Sequence, residues 1–152
     1  MGTLPFFFYG TLMDAGVRRA VLGGKAPKRL EPATLIGWRR FTAKGASFPI
    51  VTPDGRGRVH GVLAHDVSDA AHDVSDAARA LLDAYEGPGY RAERWIAERA
   101  DGKRVKTMVY VPDGTGAVRA GATAWDLAEW QAAHKTAFVA KLKKAKIAPR
   151  GR

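Results

Sequence analysis

The sequence contains no cysteine, which excludes disulfide bonds, thiolate nucleophiles and zinc–thiolate sites. It also has little continuous apolar sequence. The run Leu4–Tyr9 is shorter than the central region of a signal peptide and has no basic residue before it. No segment approaches the ~20 apolar residues that a membrane-spanning helix needs. We therefore expect a cytoplasmic protein that has no membrane partner.

Motifs that hold nucleotides or activate a serine are also missing. The chain has no GxxxxGK[ST] phosphate loop, no GxGxxG dinucleotide motif and no serine in a GxSxG context. The sequence therefore indicates neither a nucleotide cofactor nor a serine hydrolase.

Acidic residues are absent after Glu129, although basic residues are frequent there. The basic residues of this part are Lys135, Lys141, Lys143, Lys144, Lys146, Arg150 and Arg152. They supply most of the net charge of +10 and leave about +3 for the rest of the chain. No zinc-finger spacing, RNP-type aromatic motif or GxxG clamp accompanies them, so the sequence favours a solvated basic tail over a nucleic-acid partner. A polyanion-binding protein that depends on this tail is the alternative.

The hydrophobic pattern predicts one α+β domain, residues 1–145, followed by the basic tail, residues 146–152. We predict strands at Leu4–Tyr9 and in "ATLIGWRRFTA", "FPIV" and "GRVHGVLAHDV", and a hairpin with a two-residue turn at Asp101-Gly102. Asp14 is the expected N-cap of a short helix that ends at Gly23-Gly24. The strands are too unevenly interrupted for a parallel βαβ sheet. A small mixed, mostly antiparallel β-barrel flanked by helices fits better.

Two further helices are predicted. Ala78, Leu81, Leu82 and Tyr85 would form one apolar face. A longer helix from about Thr123 to Lys144, capped by Thr123, carries a stripe of Leu127, Trp130, His134, Ala137 and Phe138. His134 is expected to be packed or at the rim of the core.

The heptad "HDVSDAA" occurs twice in succession, at His65–Ala71 and His72–Ala78. Seven residues make two helical turns, so the repeat is interpreted as a tandem duplication that lengthens the entrance of the Leu81 helix. Ser68 or Ser75 would be its cap. A metal site at His65 and Asp69, which lie four residues apart, is the weaker interpretation, because a single duplication already accounts for the repeated His and Asp residues.

Glu86 stands out because it occupies the last turn of a predicted helix, before Gly87-Pro88-Gly89. A helix C-terminus carries partial negative charge, which disfavours a carboxylate there by ~0.3–1 kcal/mol. Either Glu86 is an exposed acid in a loop, or something other than helix stability accounts for it.

Two stretches together, "FFFYGTLM" and "LLDAYEGPGYRAERW", resemble the γ-glutamylcyclotransferase-like family, which includes γ-glutamylamine cyclotransferases and AIG2-type proteins. The motifs "FPIV", "VHGVL" and "VYV" between and after them are similar as well. The resemblance covers roughly Leu4 to Val111 and continues more weakly through the Trp125–Phe138 helix. The YG[ST]L motif followed by LDxxEGxxY in this order carries it.

The resemblance implies a mixed β-barrel and a reaction that converts a γ-glutamyl amide into 5-oxoproline and a free amine, without a metal or an organic cofactor. It implies that backbone amides of Tyr9, Gly10, Thr11 and Leu12 bind the glutamyl group. It also implies that Glu86 is the general acid/base and that Tyr90 lines the cavity.

Within this interpretation, burial of Glu86 among tyrosines would raise its pKa from ~4.3 toward the working pH. Glycine at position 10 would let the substrate approach the backbone. Arg91 either holds a substrate carboxylate or, as the charged pattern of "YRAERW" favours, faces outward on a strand, and Pro49 is interpreted as architectural rather than catalytic. The alternative to an enzyme is a non-catalytic module that binds a γ-glutamyl-type ligand. The sequence identifies neither the leaving amine nor the oligomeric state.

Overall fold

The computed structural model describes residues 4–27, 29–65 and 72–145. Within these ranges the chain forms five strands, three α-helices and two short 3-10 turns. The strands are β1 (Phe6–Phe8), β2 (Arg29–Thr42), β3 (Pro49–His65), β4 (Tyr90–Arg99) and β5 (Arg104–Pro112). The helices are α1 (Ala15–Leu22), α2 (His72–Glu86) and α3 (Leu127–Ala145), and the 3-10 turns are Thr11–Met13 and Gly23–Lys25.

The strands close into a barrel in the order β1-β3-β2-β4-β5, which confirms the predicted α+β architecture. Strand β1 runs antiparallel to β3 and parallel to β5, and all other neighbouring strands are antiparallel. The parallel seam is a single pair, Phe6 with Met108, where the Met108 N–H donates to the Pro5 carbonyl over 2.9 Å. The barrel is therefore mixed but mostly antiparallel.

The apolar N-terminal strand contributes to two separate cores. Phe7 belongs to the cluster that fills the barrel, together with Leu35 and Leu63. Phe6 and Phe8 point the other way and pack in the cluster between the barrel and the helices. All three phenylalanines are buried because one side of β1 faces the barrel interior and the other side is covered by helices.

Strand β3 is longer than the sequence predicted. One continuous strand of 17 residues, Pro49–His65, joins "PIV" of the first motif to "GRVHGVLAH" of the second. It pairs with β2 from Pro49 to Pro53 and again from Arg58 to His65, and the register shifts between Ile36 and Trp38, where residues 54–57 of β3 bulge out of the ladder. The predicted break between the two motifs corresponds to this bulge, which interrupts the pairing with β2 without ending the strand.

The hairpin of β4 and β5 is confirmed, but its turn is longer than two residues. The last pair is Glu98 with Arg104, and the Arg99 N–H donates to the Lys103 carbonyl over 2.8 Å. Gly102 has φ +86, which places it in the left-handed region that a bulged hairpin loop requires.

Several predictions on the helices need correction. Helix α3 begins at Leu127, not Thr123, because the Asp126 carboxylate accepts the Glu129 N–H over 2.9 Å and caps the helix. His134 and Ala137 are exposed on α3 and do not belong to its packed stripe. On α2, Leu81 is 38% exposed, so of the four residues predicted for the apolar face only Ala78 and Leu82 are fully buried.

The duplicated heptad lies partly outside the described residues. Its second copy, His72–Ala78, begins helix α2, so Ser75 lies inside the helix and is not its cap. Ser68 and Asp69 of the first copy, and the predicted tail 146–152, fall outside the described residues. The helices that the structure does describe include none with the length and apolar content to span a membrane.

A substitution at Gly61 tests the packing of β1 against β3. A Cβ at this position would lie 2.4 Å from the Phe8 carbonyl oxygen and 2.7 Å from the Phe7 ring. We expect Gly61→Ala to lower the free energy of unfolding by about 1–3 kcal/mol, since overpacking forces backbone shifts. Gly55→Ala is the matched control on the same strand because nothing lies within 4 Å of its added Cβ. Urea denaturation that gave equal stabilities for the two variants would contradict this packing.

Candidate active site

A cavity of about 230 Å³ opens where the end of β1, the start of β3 and the end of α2 meet. All six residues predicted for the site line it: Tyr9, Gly10, Thr11, Leu12, Glu86 and Tyr90. The fold thus brings together two stretches that are more than seventy residues apart in the sequence.

The turn after β1 forms one wall of this cavity. The chain leaves β1, passes Gly10 and enters the 3-10 turn Thr11–Met13, and α1 follows directly with Asp14 as its N-cap. Among the described residues, no acceptor lies within hydrogen-bond range of the N–H groups of Gly10, Thr11 and Leu12. The first N–H groups of a helical segment have no partner within it, so this turn concentrates donors beside the cavity.

Gly10 packs directly against a neighbouring strand. A Cβ at this position would lie 2.7 Å from the Cγ atom of Pro49, the first residue of β3. The Pro49 ring therefore occupies the position that a side chain at residue 10 would take. Pro49 also lines the cavity, and its contact with Gly10 agrees with the architectural role predicted for it.

Helix α2 places Glu86 at its C-terminal end. Ala78 and Leu82 are fully buried, which fixes the rotation of the helix against the barrel. The helix stops at Glu86 because Gly87 adopts φ +71 and Pro88 follows it. Glu86 is half-buried at this helix end, and it lines the cavity.

All four tyrosines of the chain surround this cavity, and each hydroxyl group has a partner other than Glu86. The Tyr9 hydroxyl donates to the Tyr110 carbonyl over 2.6 Å, and the Tyr110 hydroxyl donates to the Asp83 carboxylate. The Tyr90 hydroxyl donates to the Pro49 carbonyl over 3.0 Å, and the hydroxyls of Tyr85 and Thr11 are bonded to each other. The tyrosines thus wall in the carboxylate without donating hydrogen bonds to it.

This environment raises the pKa of Glu86 to about 8. Burial is the main cause, and the negative charge of Asp83, three residues earlier on α2, adds to it. The negative charge of Glu86 in turn helps burial to raise the pKa of Tyr90. A carboxyl group with this pKa can release and accept a proton near neutral pH.

Asp14 connects this wall to helix α3. Its buried carboxylate accepts the Val17 N–H over 2.9 Å, the Gln131 amide over 2.8 Å and the Lys135 ammonium over 2.9 Å. Burial alone would raise the pKa of Asp14, but these hydrogen bonds lower it below the usual value. Helix α3 is thereby held in place, and its Phe138 completes the cavity beside Tyr85.

Comparison with known proteins decides the family. Residues 6–132 match the family described as "Gamma-glutamyl cyclotransferase, AIG2-like". The chain belongs to this family. "AIG2-like protein A" of Arabidopsis thaliana is 32% identical over 146 residues, which cover 91% of this chain and 78% of the relative.

Solved structures agree with the assignment to the AIG2-like family. One solution structure of an Arabidopsis thaliana protein has a TM-score of 0.65 at 27% identity and covers 95% of this chain and 82% of that chain. A solved structure of a gamma-glutamyl cyclotransferase has a TM-score of 0.54 at 11% identity, covers 92% of this chain and 86% of that chain, and shares the fold. The predicted family resemblance is confirmed.

In this AIG2-like chain the structure adds residues to the cavity that the sequence analysis did not assign to it. Phe48, Tyr110 and Phe138 line the cavity, and the alternation of β5 was the only sequence signal for Tyr110. Arg91 instead forms an outward ion pair with Glu93, as predicted. In the described ranges no group of three His, Asp or Glu residues converges to hold a metal ion.

The raised pKa of Glu86 makes stability depend on pH. An unfolded glutamate has a pKa of ~4.3, so between pH ~4.3 and ~8 the folded protein binds one more proton at this site than the unfolded chain. Stability therefore falls as pH rises through this window. The Glu86→Gln side chain stays neutral at every pH. The free energy of unfolding of this variant minus that of the natural protein should therefore increase by on the order of 2–5 kcal/mol from pH 5 to pH 8.5. Urea unfolding at both pH values measures this, and a difference that does not change with pH would contradict the raised pKa.

Proposed function

We propose that this chain is a γ-glutamyl cyclotransferase in which Glu86 is the general acid/base. The observation that carries the proposal is a carboxyl group of pKa about 8 in the same cavity as the N–H groups of Gly10, Thr11 and Leu12. Family membership supports a cyclotransferase-type reaction in general terms. The substrate would be a small molecule that carries a γ-glutamyl amide, and no membrane or nucleic acid would take part.

The proposed reaction is intramolecular. The α-amine nitrogen of the glutamyl group forms a bond to its own γ-carbonyl carbon, and the bond from that carbon to the leaving amine breaks. The products are 5-oxoproline and a free amine. Since both reacting groups belong to one molecule, the protein contributes mainly by holding the glutamyl chain in a ring-closing conformation, which can supply several kcal/mol.

The size of the cavity agrees with recognition of the glutamyl half alone. At about 230 Å³ it is smaller than the ~300–1,000 Å³ typical of sites for drug-sized ligands. The leaving amine would then project out past Phe48, which is 37% exposed and contacts Tyr90 edge to face. A recognised glutamyl end and an outward leaving group are what a cyclotransferase requires.

Glu86 would manage the proton. The substrate enters as an ammonium with a pKa near ~8 for an α-amine, close to that of the buried carboxyl group. Proton transfer between the two groups is therefore nearly balanced in free energy, which suits general acid/base catalysis. The ionised carboxylate takes the ammonium proton, the amine attacks, and the resulting acid returns the proton to the departing amine.

The turn Gly10–Leu12 would stabilise the negative charge that develops on the γ-carbonyl oxygen. Its N–H groups belong to a rigid backbone between β1 and α1, so they need no reorganisation during the reaction. Removal of one such donor typically costs about 10²–10³ in kcat.

The enzyme is distinguished from a non-catalytic module by turnover that depends on Glu86. Glu86→Gln should reduce 5-oxoproline release at least ~10²-fold, because loss of a general acid/base costs 10²–10⁴. Release is measured from a panel of γ-glutamyl amino acids, amines and peptides, which also ranks the leaving groups. Glu93→Gln is the control, since Glu93 is paired with Arg91 outside the cavity. Binding of the panel without release would favour the binding module, whereas salt-sensitive polyanion binding alone would favour the basic-tail alternative.

The pH profile separately tests which protonation states of Glu86 and of the substrate amine are productive. The productive pair is ionised Glu86 with the substrate's ammonium, so kcat/KM should rise as Glu86 ionises near pH 8 and fall again as the free ammonium loses its proton. In the complex, the ammonium favours the ionised carboxylate, so the acidic limb of kcat should lie at lower pH than that of kcat/KM. Steady-state kinetics from pH 6 to 10 measure both limbs. A kcat/KM value that is already at its plateau at pH 6 would contradict this assignment.

A further inference from the structure

Arg40 contacts the back of the turn without lining the cavity. Its Nη1 atom donates to the Tyr9 carbonyl over 2.7 Å and to the His60 carbonyl over 3.0 Å. The ladder between β1 and β3 ends at the pair of Phe8 with Val62, so the guanidinium connects the two strands just beyond their last regular pair.

The guanidinium is held from two further directions. It lies 5.4 Å from the centre of the Trp125 ring, a cation–π distance. The negative charge of Asp126 acts on it as well. A planar, always-charged group held in this way keeps a fixed orientation, which a flexible ammonium would not.

The Tyr9 carbonyl and the Gly10 N–H belong to one peptide group. Because the peptide group is planar and trans, the N–H points away from the carbonyl and therefore away from Arg40. Among the described residues, no group accepts this N–H, and Gly10 lines the cavity. Positive charge on the carbonyl side polarises the peptide group and makes its N–H a stronger donor.

We infer that Arg40 is a positioning residue, which aligns and polarises the Tyr9–Gly10 peptide group so that the Gly10 N–H stabilises the oxyanion of the reaction. This inference rests on the proposed function. The oxyanion carries more charge than the carbonyl of the bound substrate, so the effect is larger in the transition state than in the ground state.

Kinetics of two Arg40 variants test the inference. Arg40→Met keeps the apolar stem but loses the charge, and should lower kcat about 10–100-fold with KM changed less than threefold. Arg40→Lys restores a charged donor and should recover part of this loss. Arg39→Met is the control, since the neighbouring Arg39 forms an outward ion pair with Asp54 at 3.1 Å. Urea unfolding of each protein corrects kcat for the folded fraction.

The outcomes separate this inference from the proposed function. A natural protein without 5-oxoproline release on any substrate overturns the proposed function and this inference with it. If the natural protein is active, two results for Arg40→Met overturn only the Arg40 inference. One is a kcat within twofold of the natural value, and the other is a loss of kcat that the unfolded fraction fully accounts for. If Arg40→Met does not fold, a folded Arg40→Lys variant with a lowered kcat and a nearly unchanged KM supports the inference, and one with an unchanged kcat overturns it.

Discussion

Closure of the barrel by strand β1 is the constraint on which the candidate site depends. Only three residues form this strand, yet it joins β3 on one side and β5 on the other. The Tyr9 hydroxyl continues the seam by its buried hydrogen bond to the Tyr110 carbonyl. Both ends of the turn that follows are fixed, because the strand before it is hydrogen-bonded in the sheet and the helix after it is capped by Asp14. Rigidity of the backbone donors is thus a property of the barrel and not of the turn itself.

The polar groups around the cavity divide into two kinds. The hydroxyl groups of the tyrosines and of Thr11 are used to hold the walls together, so they do not solvate the carboxylate of Glu86. No ion pair or hydrogen bond contributes to the pKa of Glu86, which burial and the charge of Asp83 raise. A structure built in this way stabilises the walls and destabilises the charged form of one residue. That division gives an ordinary glutamate the proton affinity of a much weaker acid.

The sequence predicted the family, the barrel, the Asp14 cap and the residues that share the cavity, because each has a local pattern or a motif. The features that it did not predict depend on partners distant in the chain. Strand β3 continues past its bulge because β2 pairs with it on both sides, and a side chain at position 10 would meet the Pro49 ring. Asp126 prevails over Thr123 as the cap of α3, and no pattern distinguished them. The contact of Arg40 with the Tyr9 carbonyl joins positions 31 residues apart and has no sequence signature.

Helix α2 carries Glu86 at one end and the second copy of the duplicated heptad at the other. A seven-residue addition turns an α-helix to within about 20° of two full turns, so the faces of the residues that follow are preserved. Ala78 and Leu82 therefore keep their contacts with the barrel whichever copy arose later. An addition or loss of seven residues within the helix at this end would therefore change its length by about two turns and leave the carboxylate at the other end in the cavity wall.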